Sequence, residues 1–74
     1  MISPDTPIGE MIARETDGRG YAVYDVERLR LTVYFPEANE EQRYRLMLKL
    51  RDYIDRRGLW NSFEKITIQS LYYT

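Results

Sequence analysis

Apolar residues recur along this chain with two different periods, and the change of period divides it into elements. From Asn39 to Gly58 the spacing is helical: at about 100° per residue, Leu46, Met47, Leu50, Tyr53 and Ile54 share one arc. That arc is wide enough to be the core face of a helix lying on a sheet. Its ends are marked as clearly as its middle. Asn39 suits the N-cap, Gln42 stands three residues on as in a capping box, and Glu40 and Glu41 put negative charge in the first turn. At the far end Gly58 suits C′, with Ile54 and Leu59 placed as the hydrophobic pair of a Schellman motif and Arg56 and Arg57 in the last turn.

Between Tyr21 and Phe35 the period drops to two. Tyr21 to Val26 reads as one strand and Arg28 to Phe35 as a second, with Leu29, Leu31, Val33 and Phe35 on one face and Arg28, Arg30, Thr32 and Tyr34 on the other. No glycine lies between them, so the break is either a tight turn or a bulge in one bent strand. A last strand is predicted over Lys65–Tyr73, with Ile66 and Ile68 inward and Lys65, Thr67, Gln69 and Leu71 outward. A helix of about 18 residues rises about 27 Å, close to the length of an eight-residue strand, so the last strand can return parallel to the second by a right-handed crossover.

Residues 6–16 admit two readings. Thr6 as N-cap, Pro7 at N1 and the spacing of Ile8, Met11 and Ile12 predict a helix ending at Asp17-Gly18, although Gly9 weakens it. The alternative makes Met11–Thr16 a strand joined to Tyr21 by an Asp-Gly hairpin. The helix is preferred because no alternation matches the strand. Gly18-Arg19-Gly20 lacks the preceding strand and the Lys-Ser/Thr ending of a phosphate loop and reads as a turn. The expected fold is an α+β domain of α-β-β-α-β order: a three-stranded sheet with one long helix across one face. It spans 1–74 as a single unit, with 1–5 as a flexible tail.

Composition then narrows the chemistry. The chain has 74 residues, so one core of marginal stability is expected, which dimerisation would reinforce. It contains no cysteine and no histidine, which removes thiolate and imidazole metal sites, disulfides and the usual nucleophile–base triads. No cofactor is expected. Asp52 with Asp55, and Glu40 with Glu41, lie on a solvated helix among arginines, a poor setting for raising a carboxyl pKa to a useful value, so no enzyme is expected either. The 11 basic and 12 acidic residues, closely interspersed, argue against a surface built throughout to hold nucleic acid and leave room for a local patch. Met1–Asp5 does not read as the start of a secretory leader and no apolar stretch reaches spanning length, so no membrane role is expected and the cytoplasm is the expected address. From Met1 to its last strand the chain reads as a complete small gene product.

Two surfaces are candidates for binding. Tyr44 and Leu48, at i and i+4, lie on the far side of the long helix and cannot share its core; the short face of the first helix is their natural cover, failing which they are exposed. With seven tyrosines and one tryptophan, the chain carries more aromatic surface than one small core hides. Tyr44, Leu48, Trp60, Tyr72 and Tyr73 are therefore the candidate protein-binding anchors. Core or edge packing competes as an account of each, most strongly for Trp60. A homodimer through a sheet edge or through Tyr44 and Leu48 fits the same pattern.

The second candidate is nucleic acid. Arg28, Arg30 and Tyr34 on the open sheet face, with Lys65, Thr67 and Gln69 and either Tyr21 or Tyr24, interleave cations and rings as single-strand binders do. Arg45, Lys49 and Arg56 add a basic stripe on the helix. Against this, Glu41–Arg45, Arg51–Asp55 and Asp52–Arg56 are i,i+4 pairs that simply support a solvated helix.

In size and composition alone, the chain resembles small phage or mobile-element proteins that block a host complex by binding it, anti-CRISPR proteins among them. No motif carries that resemblance, and no residue role follows from it. It implies a non-catalytic inhibitor with a protein partner; the alternative is a small nucleic-acid-binding regulator.

Overall fold

A computed structural model describes residues 1–70. The order is α1 (Pro7–Glu15), β1 (Tyr21–Asp25), β2 (Arg30–Tyr34), α2 (Glu40–Arg56), a 3-10 turn (Trp60–Ser62) and β3 (Lys65–Gln69). β2 is the central strand, antiparallel to β1 and parallel to β3. The α+β class and the α-β-β-α-β order are as the periodicity predicts. No helix among the described residues is long and apolar enough to cross a membrane.

Each helix is bounded by its own side chains. In α1, Thr6 Oγ1 accepts from the Gly9 N–H with Pro7 at the first position, which selects the helical reading over the strand. In α2 both halves of the Asn39/Gln42 capping box form. Gly58, at φ 63°, donates to the Asp55 carbonyl and Leu59 to that of Ile54, the two bonds of a Schellman end.

Both helices pack on the same sheet face. Met11 and Ile12 of α1 and Leu46 and Leu50 of α2 enclose Ala22, Leu31 and Val33 in one core, with Phe35 and Ala38. Ala22 pairs with Val33 and Tyr24 with Leu31, while Ile66 and Ile68 lie level with Leu31 and Val33, so these six form the helix-facing side. Tyr21, Val23, Arg30, Thr32, Tyr34, Lys65, Thr67 and Gln69 form the other side. Met47 and Tyr53, expected on the core arc, are half-buried at its two flanks.

Close approaches and turns account for what periodicity misjudges. Gly9 is buried where α1 passes the N-terminal segment, and a Cβ there would lie 2.0 Å from the Ser3 carbonyl oxygen. It is a packing contact, so its helix-weakening composition is misleading. That segment, expected as a tail, is joined to the sheet by the Ile2 N–H, which donates to the Ala22 carbonyl on the outer edge of β1. β2 begins at Arg30, so Arg28 and Leu29 leave the predicted strand for a four-residue turn. There the Asp25 carboxylate accepts from the Glu27 and Arg28 N–H groups, and Leu29 takes a φ of 54°.

Candidate protein-binding surface

The outward side of α2 is built by residues that the core does not use. Tyr44, Leu48 and Arg51 recur at i, i+4 and i+7, and Tyr44 is 63 % and Leu48 49 % exposed. α1 is therefore not their cover. Its apolar face is consumed in the shared core beside β1, and its contact with α2 lies on the opposite flank, where Lys49 Nζ meets Glu15 at 2.8 Å.

Trp60 extends this surface. The Schellman end of α2 feeds directly into the 3-10 turn, and the turn is held to the sheet by Tyr24, whose hydroxyl donates to the Ser62 carbonyl and whose ring meets Phe63 edge-on at 5.4 Å. This leaves the Trp60 indole 41 % exposed with the Arg51 guanidinium over it at 5.6 Å. Arg51 does so in place of the expected pair with Asp55. Met47, Arg51, Trp60, Glu64, Lys65 and Ile66 line a shallow groove that joins α2 to the start of β3.

Beyond that groove β3 is an edge strand. Gln69 turns its carbonyl to the Phe35 N–H and Lys65 its N–H to the Leu29 carbonyl, so Lys65, Thr67 and Gln69 address β2. The backbone groups of Ile66 and Ile68 point away, and no described residue bonds them. Tyr72 and Tyr73 lie outside the described residues.

The basic residues sort differently. Arg45 pairs with Glu41, Lys49 with Glu15 and Arg56 with Asp52, so every member of the basic helix stripe has a carboxylate beside it. On the open sheet face Tyr21 and Tyr34 stack at 5.0 Å across the β1–β2 pair, which settles the register in favour of Tyr21 over Tyr24. Arg30 and Lys65 share that face, whereas Arg28, in the turn, does not belong to it. No group of three or more carboxylates among the described residues could hold a metal ion.

Sequence reasoning missed two polar residues that position these elements. Arg43 Nη1 donates to the Ala38 carbonyl and to Ser70 Oγ, and Ser70 Oγ donates to the same carbonyl, tying the start of α2 to the end of β3. Thr16 is 2 % exposed; its hydroxyl donates to the Ile12 carbonyl and accepts from the Gly20 N–H. Neither has a sequence signal beyond its polarity. No known protein-family model, curated protein or solved structure matches the chain.

Proposed function

We propose that this chain is a non-catalytic module that binds a protein partner through the outward side of α2, with Tyr44, Leu48 and Trp60 as its anchors. The observation that carries this reading is the exposure of those three side chains on one continuous stretch, bridged by Arg51 and free of helix α1. Tyr44, Leu48 and Trp60 each leave large apolar surface in water that binding can desolvate. The narrower reading, a phage or mobile-element inhibitor acting on a host complex in the cytoplasm, rests on size and composition.

A second reading is favoured by the stacked Tyr21–Tyr34 pair with Arg30 and Lys65 on the open sheet face, which would suit single-stranded nucleic acid. The helix stripe lends it little, since Arg45, Lys49 and Arg56 are each paired. Affinity capture from lysate of the native host, with and without nuclease and at two salt concentrations, separates the two. A stoichiometric protein retained through both treatments, and lost from a Tyr44→Ala/Leu48→Ala variant, supports the first reading; recovery that vanishes with nuclease or salt refutes it.

A further inference from the structure

We infer that a second copy of this chain pairs with the free edge of β3, antiparallel about a two-fold axis through Thr67, to give a continuous six-stranded sheet. The strand edge lies outside the proposed partner surface, but the flank of α2 beside it shares Tyr44 and Arg51 with that surface, so the pair and the partner compete for these two side chains.

The backbone supports this register directly. Ile66 and Ile68 present their N–H and C=O groups to the open side. About an axis at Thr67, Ile66 lies opposite Ile68 of the second copy and exchanges two hydrogen bonds with it. Its symmetry mate repeats the exchange, with the two Thr67 residues between them as a non-hydrogen-bonded pair. Side chains agree with the backbone. On the helix side each isoleucine meets an isoleucine; on the open side Lys65 meets Gln69 and Thr67 meets itself, so no like charges face one another. An axis at Lys65 would oppose two ammonium groups, and axes at Ile66 or Ile68 would leave part of the Lys65–Gln69 span unmatched.

Charge complementarity continues onto α2. Arg43 is bonded to Ser70, while Arg51 lies by Trp60 near the start of β3, so α2 runs opposite to β3. Glu40, Tyr44, Met47 and Arg51 recur at i, i+4, i+7 and i+11 along the flank beside the free edge. The two-fold sets this stripe against its own reverse, bringing Glu40 to Arg51 of the second copy with Tyr44 and Met47 between them. Neither Glu40 nor Arg51 has an ion-pair partner among the described residues. The 17 residues of α2 make a strip about 25 Å long, and helix flank plus strand edge about 20 Å wide. Two such footprints total about 1,000 Å², the lower bound for a specific interface. Leu48, farther around the helix, stays at the surface of the pair.

Thr67 allows a test that leaves the core intact. Thr67→Lys and Thr67→Glu each place like charges across the axis, while a mixture places opposite charges there. Sedimentation velocity at high concentration should give a dimer for the full wild-type chain, monomers for each variant alone, and a dimer for the equimolar mixture. Amide exchange of wild-type Ile66 and Ile68 should also slow as protein concentration rises, a readout independent of either variant folding. A monomeric wild type, dimeric single variants, or concentration-independent exchange at Ile66 and Ile68 would overturn the inference. Partner capture by monomeric Thr67→Lys, scored separately, shows whether the binding role survives without the pair.

Discussion

Thr16→Val should destabilise the fold by about 2–4 kcal/mol although it exchanges a hydroxyl for a methyl of nearly equal size. The Thr16 hydroxyl is the acceptor for the Gly20 N–H at 2.8 Å, one residue before β1 begins. Removing the acceptor leaves a half-buried donor without a partner, which costs about 1–3 kcal/mol. The methyl put in its place needs more than the 2.8 Å that the oxygen occupies, and Gly20 already sits where a Cβ would lie 2.7 Å from the Thr16 side chain. The turn must move, at a further cost of about 1 kcal/mol. Loss of the bond to the Ile12 carbonyl counts for less, since the Thr16 backbone N–H also donates to it at 3.1 Å. For a domain of this size, about 2–4 kcal/mol corresponds to a fall in Tm of roughly 8–32 °C. Urea denaturation followed by circular dichroism measures the difference, with Thr16→Ser as control because it keeps the hydroxyl and should lose only about 1 kcal/mol. If valine falls within about 0.5 kcal/mol of wild type, or serine proves the worse of the two, the hydroxyl is not what holds this turn.

Three further substitutions probe the rest of the fold. Gly9→Ala, usually favourable in a helix, should here destabilise by more than about 1 kcal/mol, because its Cβ meets backbone at Ser3; thermal melts and faster Ile2 amide exchange would register it. Leu50→Ala, at a side chain with no exposure, should cost about 2–5 kcal/mol. Against the roughly 4–11 kcal/mol typical of 74 residues, that is a large fraction of the total, visible as a much earlier urea transition. Arg45→Gln removes an ion pair whose partners are both mostly exposed, and the urea midpoint should move by less than about 0.5 kcal/mol equivalent.

What was legible in the sequence was whatever local chemistry determines. The caps of α2 depend on Asn39, Gln42 and Gly58 acting within a turn of themselves, and all three do so as expected. The alternation of Leu31, Val33 and Phe35 likewise gives the buried face of β2 and of the residue that follows it. Expectation and structure part mainly where packing between segments decides. Gly9 is explained by a carbonyl six residues away in a segment with no periodicity of its own. Whether α1 covers Tyr44 and Leu48 depends on which flank of α2 it meets, and periodicity is silent on that; the Lys49–Glu15 contact places it on the other side. The turn before β2 is a local exception: Arg28 and Leu29 continue the alternation of β2, but the Asp25 carboxylate accepts from the Glu27 and Arg28 N–H groups and forms the turn. The same holds for the candidate surface. Tyr44 and Leu48 could be picked out because they face away from the core arc, whereas the exposure of Trp60 depends on Tyr24 anchoring the 3-10 turn across 38 residues.

The measurement that bears most directly on the protein-binding account is the affinity of the captured partner for wild type, Leu48→Ala and Arg30→Glu, by titration calorimetry at low and high salt. Truncating an anchor typically costs at least about 1–2 kcal/mol of binding, so Leu48→Ala should weaken the complex roughly 5- to 30-fold, with Arg30→Glu close to wild type and little change with salt. An affinity that ignores Leu48→Ala, falls with Arg30→Glu and drops steeply as salt rises would contradict the account and move the site to the open face of the sheet.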